Sequence, residues 1–196
     1  APETPGGPNH RRIEELRRQG VPVVQIYQAL YPVIPTVMAD DARAGYEAVR
    51  RLIALGHTRI AHVTHDGYLD LDLPGKYAAG LARFTGYQRA MNEAGLEPLT
   101  FTYPVGFHHE RAFGRSALGP LAEQIIAARV TAAFCFCDYT AIALMSVLQQ
   151  LGVGIPRDIS LIGYDDTEAA ALCSPPLTTY APQSREMGEA AVRMLF

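Results

Sequence analysis

Polar side chains follow several predicted strands of this sequence, each at the point where an apolar run ends. Asp40, Thr64, the pair at 137–138 and the pair at 164–165 all occupy such positions. In open α/β sheets, ligands bind beyond the carboxyl ends of the strands, where side chains of this kind converge. No local motif assigns acid and base roles to the carboxylates. The pattern therefore predicts a binding site rather than a catalytic one.

Asp165 and Arg83 are the charged residues best suited to hold a small polar molecule. Asp165 ends the apolar stretch 161–163, and a carboxylate there accepts two hydrogen bonds from neighbouring hydroxyls of a sugar. Arg83 lies three residues before Gly86, near a helix start, and its planar guanidinium can hold hydroxyls, ring oxygens or a carboxylate. The alternatives are that Asp165 or Asp166 caps the following helix, and that Arg83 is a solvated surface residue.

Other residues that can do chemistry form weaker patterns. His62 and His65 are three apart on a predicted strand, so they point to opposite faces and cannot bind one metal together. Cys135 and Cys137 share a strand face without further His or Cys partners, and we expect Cys135 in the core. The sequence has no Gly-x-Ser-x-Gly, Walker or Gly-x-Gly-x-x-Gly motif. We expect no metal, no cofactor and no enzymatic activity, with a sugar- or nucleotide-directed α/β enzyme as the third alternative.

Helix and strand patterns alternate along the chain. We predict strands at about 21–26, 59–64, 131–136 and 159–163, and helices at about 9–19, 41–55, 81–94, 110–129, 140–150 and from 184, with a break expected at Gly119-Pro120. Repeated βα units at this spacing predict parallel sheets with helices on both faces.

Composition restricts the classes of protein that fit. Hydrophobic residues make up 48% and charged residues 19%, as in a folded globular protein. The net charge of −3 leaves no broad basic surface, so this segment alone is not expected to bind nucleic acid. Three cysteines do not suggest a disulfide framework, so we expect a reducing compartment, the cytoplasm. No apolar run approaches the ~20 residues of a membrane span, and the segment 1–8, without Met or a signal pattern, suggests an internal piece of a longer chain.

Five stretches in one order resemble the lactose-repressor/galactose-repressor family of transcription regulators. Single stretches are weak, but the ordered set, which covers about residues 20–196, is specific. The stretches are DDARAGY with LIALGHTRI (40–46 and 52–60), RFTGYQRAM (83–91), TAAFCFCD (131–138), IPRDISLIGYDD (155–166), and PPLTT followed by Met187-Gly188 (175–179 and 187–188).

The resemblance implies a two-lobed fold like that of periplasmic binding proteins, each lobe a doubly wound parallel sheet flanked by helices. It assigns residues 1–56 to an incomplete N-terminal lobe, 57–181 to the C-terminal lobe, and 182–196 to a return into the N-terminal lobe. It also implies a homodimer that contacts operator DNA through a head domain absent from these residues.

The same resemblance implies roles for particular residues. Arg83 and Asp40 match positions that contact the effector, and Asp165 gains support as a ligand contact. Cys137-Asp138 stands where the family often has Asn-Asp or Gly-Asp, and Asp138 either contacts the ligand or caps the next helix. Two further candidates depart from the family pattern: Phe107, one residue out of its usual spacing, and Gln183, which follows Pro182 where the family has Gln before Pro.

Two apolar residues map to the dimer contact of the C-terminal lobe. They are Ile142, on the predicted helix 140–150, and Leu172, which follows three alanines; the alternative is that both are core residues. Taken together, the sequence predicts an effector-sensing domain, with a sugar as the expected ligand and a purine as its main competitor. A periplasmic sugar-binding protein of a transporter is the alternative function, because it shares the architecture.

Overall fold

The computed structural model describes residues 8–66, 78–104 and 115–196. The elements within these ranges are α1 (Pro8–Arg18), β1 (Gln25–Ile26), β2 (Thr36–Val37), α2 (Asp41–Ala54), β3 (Ile60–His65), α3 (Ala78–Glu93), β4 (Leu99–Tyr103), α4 (Arg115–Ala127), β5 (Ala132–Cys135), α5 (Asp138–Gln150), β6 (Ser160–Tyr164), α6 (Glu168–Leu172), β7 (Thr178–Tyr180) and α7 (Ser184–Leu195).

Five parallel strands form the main sheet, in the order β4-β3-β5-β6-β7. In the centre, Ala133 of β5 lies opposite Ala61 of β3 and Leu161 of β6. Strands β4 and β7 pair on the two outer sides. Because every pair is parallel, the five carboxyl ends lie along one edge, and the polar residues that follow them are brought together.

Helices cover both faces of the main sheet, since alternate strand residues point to opposite sides. Phe134 packs toward α2 and α3, among Tyr87 and Leu52. Cys135, one residue later, packs toward α4 and α5, among residues such as Leu144. The prediction of an α/β fold with a parallel sheet flanked by helices is confirmed, and α2 packs on this sheet.

Two glycines allow α2 and α3 to pack closely. A β-carbon at Gly45 would overlap the carbonyl oxygen of Arg83, and one at Gly86 would overlap the carbonyl oxygen of Ala42 and lie 2.7 Å from the backbone nitrogen of Tyr46. Packed backbones leave no room for any side chain at such positions. The crossing therefore brings the start of α2 beside Arg83 of α3.

A second, smaller body combines the first and last parts of the chain. Strands β1 and β2 pair in parallel, with Gln25 opposite Thr36, and α7 packs against both strands. The Gln25 side-chain amide donates to the carbonyl oxygens of Tyr31 and Ile34. The hydroxyl of Tyr27 lies 2.5 Å from that of Ser184 in α7. These contacts tie residues from opposite ends of the chain into one unit, which we call the small body.

Some elements differ from the sequence prediction. Strands β2, β4 and β7 and helix α6 were not predicted, because each is short and its apolar pattern is incomplete. The strand expected at 21–26 is reduced to Gln25–Ile26. Helix α4 is continuous through Pro120, so the predicted break is wrong. Proline removes one helical N–H, and Pro120 is exposed to solvent.

Candidate ligand-binding site

Arg83 lies at the centre of a buried polar cluster at the carboxyl edge of the main sheet. Its Nε atom is 3.1 Å from Oδ1 of Asp41, at the start of α2. Its Nη1 atom donates to the carbonyl oxygen of Phe136, and its guanidinium carbon lies 3.9 Å from the centre of the Tyr164 ring. Only 7% of the Arg83 surface is exposed. These contacts hold the guanidinium in one orientation.

Asp41 is the partner that the sequence analysis did not single out. Burial raises its pKa, while Arg83 and a hydrogen bond from Tyr164 oppose the rise. Burial also raises the pKa of the Tyr164 hydroxyl, so Tyr164 remains a donor to Asp41 at neutral pH. A signal was present in the sequence, because Asp41 lies four residues before Gly45 and therefore on the helix face that meets α3.

Asp165 is exposed at the end of β6, with a backbone φ of +115°. A residue other than glycine is strained in this region, and such strain is concentrated at functional sites. The backbone N–H of Asp165 donates to the carbonyl oxygen of Tyr180 at 3.0 Å, which holds the residue at the sheet edge. Its carboxylate makes no hydrogen bond to any residue that the structure describes, and it is therefore open to a ligand.

The surroundings of Asp165 shift its titration. Partial burial raises the pKa of Asp165 to about 6, Arg83 lowers it, and the carboxyl groups of Asp138 and Asp41 raise it. Asp165 does not cap the following helix, because the N-cap of α6 is Thr167. The alternative of a capping role, for Asp165 or for Asp166, is thereby removed.

Asp138 lies behind this edge and is fully buried. Its carboxylate accepts hydrogen bonds from the backbone N–H and the hydroxyl of Thr167 and from the hydroxyl of Thr179. Gly163 makes room for it, because a β-carbon there would overlap Oδ1 of Asp138. Asp138 thus joins the start of α5 to β7 and to the segment that follows β6.

Cys137 is the N-cap residue of α5, without a side-chain capping bond. Its Sγ atom lies 3.4 Å from the Thr140 hydroxyl, and the side chain is 6% exposed. Burial raises the pKa of the thiol; Asp165 raises it further, and Arg83 lowers it. The thiol is therefore neutral and lies within electrostatic reach of both charged residues.

A cavity of 310 Å³ lies where the main sheet meets the small body, and we call it the hinge cavity. Asp40 and Gln183 both line it, together with Tyr164 and Tyr180, whose rings are parallel within 4° and 5.8 Å apart. The Asp40 carboxylate accepts a hydrogen bond from the backbone N–H of Arg43 at 3.0 Å and so caps α2. Two predicted site residues, Asp40 and Gln183, thus lie at the hinge cavity. Four others lie at the carboxyl edge of the main sheet: Arg83, Cys137, Asp138 and Asp165.

The remaining predicted residues are separate from both places. Phe107 lies outside the described residues. Leu172, at the end of α6, is 77% exposed, so it is not a core residue. Ile142 of α5 is partly buried against the core, and Tyr139 of the same helix is 59% exposed.

The residues that the structure describes contain neither a group of potential metal ligands nor a membrane-spanning helix. Across residues 8–66, 78–104 and 115–196, no three His, Cys, Asp or Glu side chains are grouped to hold a metal ion. No helix in these ranges is long and apolar enough to cross a membrane.

The arrangement resembles that of known proteins. Residues 49–196 match the family described as the periplasmic binding protein-like domain. The transcriptional regulator DegA of Bacillus subtilis is 34% identical over 178 residues, which cover 90% of this chain and 49% of DegA. The transcriptional repressor PurR of Vibrio atlanticus is 40% identical over 161 residues, covering 81% of this chain and 44% of PurR. The chain spans about half the length of these curated relatives.

A solved structure supports the same fold. The regulator of the LacI family from Enterococcus faecium aligns with a TM-score of 0.77, over 98% of this chain and 67% of that one, at 24% identity. The chain thus belongs to the periplasmic binding protein-like family, and its parallel main sheet is flanked by helices. More particularly, it belongs to the LacI family, whose matched members are transcriptional regulators, and the resemblance predicted from the sequence is confirmed.

Proposed function

We propose that this chain is the part of a transcriptional regulator that binds a small-molecule effector. The observation that carries the proposal is the state of Asp165: an exposed carboxylate on strained backbone, without a hydrogen bond to any described residue and within electrostatic reach of the Arg83 guanidinium, which the protein holds still. Strain of this kind persists only when the surrounding structure enforces it. That DegA and PurR are regulators of transcription favours this function over the transporter-type alternative.

The effector is a hydroxyl-rich molecule of monosaccharide or small-oligosaccharide size. Asp165 accepts hydrogen bonds from two neighbouring hydroxyls, and the Arg83 guanidinium donates to a third oxygen. Cys137 contacts the ligand from the start of α5, and Asp138 acts by holding β7 and the segment after β6 in place. The Enterococcus faecium neighbour contains bound ribose, which supports a sugar as the ligand.

Effector binding changes the orientation of the two bodies. Asp40 and Gln183 belong to the two chain segments that cross between the main sheet and the small body, and both line the hinge cavity. The packing of α2 on the main sheet favours a first crossover near Asp40, one helix earlier than the predicted limit at residue 56. A ligand shifts the orientation by no more than its difference in affinity for the two states.

The regulator acts as a cytoplasmic homodimer on operator DNA. Leu172, Tyr139 and Ile142 form an apolar surface on α5 and α6 that a second copy covers. DNA is bound through a head domain outside these 196 residues, because the chain itself carries a net charge of −3.

Ligand binding by the full-length protein tests the proposal. Thermal shift and calorimetry with a panel of sugars and nucleobases should identify a sugar that stabilises the protein. Asp165→Ala should abolish that binding, whereas Glu168→Gln, an exposed carboxylate on the neighbouring helix, should leave it unchanged. Stabilisation by a nucleobase alone, or equal binding by Asp165→Ala, contradicts the proposed ligand contact.

The link to DNA is tested by operator titration with and without the effector. We expect operator affinity to change by ~5–150-fold, the usual range of coupling between two sites. Asp40→Ala should reduce this change per ligand bound. The dimer is tested by sedimentation: Leu172→Glu should give a folded monomer, and an unchanged dimer contradicts the proposed surface.

A further inference from the structure

A second cavity lies at the amino edge of the main sheet, where β6 and β7 begin, opposite the edge that carries Asp165. Its volume is 400 Å³, and small-molecule sites usually measure about 300–1,000 Å³. It is bordered by the end of α2 and by the connections 151–159 and 173–177, which lead into the two strands and lie within the described residues. We call it the amino-edge cavity.

Most of the wall of the amino-edge cavity is apolar. The buried part of this wall comes from the core residues Leu52, Met145 and Leu161. At the rim, the side chain of Leu55 is 63% exposed, beside the exposed rings of Pro156 and Pro176. Covering such a leucine with the apolar part of a ligand removes it from water, which favours binding. The cavity therefore suits a ligand with an apolar body.

Three polar side chains line the same cavity on the side of α2. Thr178 of β7 lies opposite Ile162 of β6, and Ser160 precedes Ile162 by two residues, so all three point to one face of the sheet. Ile162 packs with Leu52 of α2 on that face, and Arg51 is the neighbouring residue on the helix. One guanidinium and two hydroxyls are thus grouped where α2 meets the start of β6 and β7.

The described part of the fold does not use these three polar groups. The guanidinium of Arg51 forms no ion pair or hydrogen bond with a described residue, and the hydroxyls of Ser160 and Thr178 form no hydrogen bond with one. By contrast, Arg43 of the same helix is paired with Glu47 at 2.7 Å. The described residues that line the cavity include no acidic side chain. A ligand carboxylate would therefore meet one cation and two hydroxyl donors without a competing anion.

We propose that the amino-edge cavity is a second ligand site, which binds a carboxylic acid with a medium-length apolar chain or a ring. Arg51 and the hydroxyls of Ser160 and Thr178 hold the carboxylate, and the apolar part packs against Leu55 and fills the cavity. The site is separate from the effector site, because Asp165 follows the opposite end of β6.

Binding of octanoate to the full-length protein tests the proposal. Calorimetry compares octanoate with octan-1-ol, which lacks the charge, and with acetate, which lacks the apolar chain. Octanoate should bind with a Kd of about 1 mM or tighter, and the other two at least ~10-fold more weakly. If acetate binds as tightly, the cavity holds an adventitious ion only, and if octanol does, the carboxylate is not recognised; either result overturns the proposal, as does a failure of octanoate to bind.

Methyl NMR of the methionines locates the bound acid. Met145 lines the amino-edge cavity, whereas Met38 and Met187 line the hinge cavity. Octanoate should shift the methyl signal of Met145 and leave the signals of Met38 and Met187 in place. Shifts at the two hinge-cavity methionines without one at Met145 would place the acid at the hinge cavity and overturn the second site.

Two neighbouring arginines of α2 provide matched variants. Arg51→Gln should weaken octanoate binding at least ~5-fold, because the charge-assisted hydrogen bonds to the carboxylate are lost. Arg50→Gln changes an exposed residue outside the cavity and should leave the affinity unchanged. Leu55→Glu, which places a negative charge at the rim, should also weaken octanoate, and thermal unfolding checks that each variant is folded. Equal affinities of the wild type and the folded Arg51→Gln protein overturn the proposed binding of the carboxylate.

Discussion

The Nε atom of Arg83 and Oδ1 of Asp41 lie 3.1 Å apart, with both side chains more than nine-tenths buried. The pair joins α3 to the first turn of α2, so the position of the guanidinium depends on how these helices cross. A buried ion pair contributes little net stability, but loss of one partner leaves the other charge unpaired and out of water.

Removal of Asp41 should therefore be costly. We expect Asp41→Ala to lower the free energy of unfolding by about 3 kcal/mol or more, and Asp41→Asn by less, because the amide oxygen can still accept from Arg83. Urea unfolding measures both. Asp40→Ala is the control: it removes an exposed helix cap and should cost about 1 kcal/mol. Equal losses in Asp40→Ala and Asp41→Ala would show that the ion pair does not hold the crossing.

The crossing itself should not tolerate a methyl group. Gly86→Ala places a β-carbon against the backbone of Ala42 and Tyr46, and overpacking of this kind costs about 1–3 kcal/mol or more. Gly188→Ala, in α7, meets no heavy atom within 4 Å and should be neutral or stabilising by up to about 1 kcal/mol. Thermal unfolding of the two variants compares them directly; a stable Gly86→Ala protein would contradict the close approach of α2 and α3.

Asp165 should make stability depend on pH in a specific direction. The pKa of Asp165 is about 6 in the folded chain and 3.8 in its ordinary state, so between these values the folded state binds more protons. Its contribution to stability is therefore present at low pH and is lost as the pH rises from about 4 to 6. Asp165→Asn should melt a few degrees above the wild type at pH 7.5, and the difference should vanish below pH 4. A difference that is constant with pH would contradict this origin.

His62 should act in the opposite direction. It is fully buried among the rings of Phe84, Tyr87 and Phe134, and burial lowers its pKa from 6.5 to about 3. Below pH 6.5 the unfolded chain takes up a proton that the folded chain does not, so stability falls as the pH falls from 6.5 toward 3.

His62→Phe removes that loss while keeping a ring in the same place. The stability of the variant relative to the wild type should rise by about 2 kcal/mol between pH 8 and pH 5. Chemical denaturation at the two pH values measures the change. A parallel pH dependence of the two proteins would show that His62 does not titrate on unfolding.

The parts of this fold that the sequence predicted are those with long, regular patterns. Helix α2 and strands β3, β5 and β6 were recognised because their apolar residues recur at helical spacing or form uninterrupted buried runs. Strand β7 was missed because its three residues carry no such pattern, and they pair only through the neighbouring β6. The predicted break in α4 was wrong because the sequence shows that a proline lacks an N–H, but not where its ring lies in the folded helix.

The site was predicted in part for a similar reason. Asp165, Cys137 and Asp138 were placed at one edge by the rule that parallel strands end together. The sequence left open whether Asp138 contacts the ligand or caps a helix, because its burial depends on Gly163 and on the hydrogen bonds from Thr167 and Thr179. Asp41 was passed over in favour of Asp40, although only Asp41 points into the cluster.

The parallel rings of Tyr164 and Tyr180 border the hinge cavity, and the 196 residues contain no tryptophan. Tryptophan in place of Tyr180 would be the single indole in this chain, set against the space between the two bodies. The emission wavelength of the indole depends on the water around it, so opening or closing of the hinge cavity would shift the emission maximum. Stopped-flow fluorescence could then measure the rate of this movement separately from the rate of ligand binding.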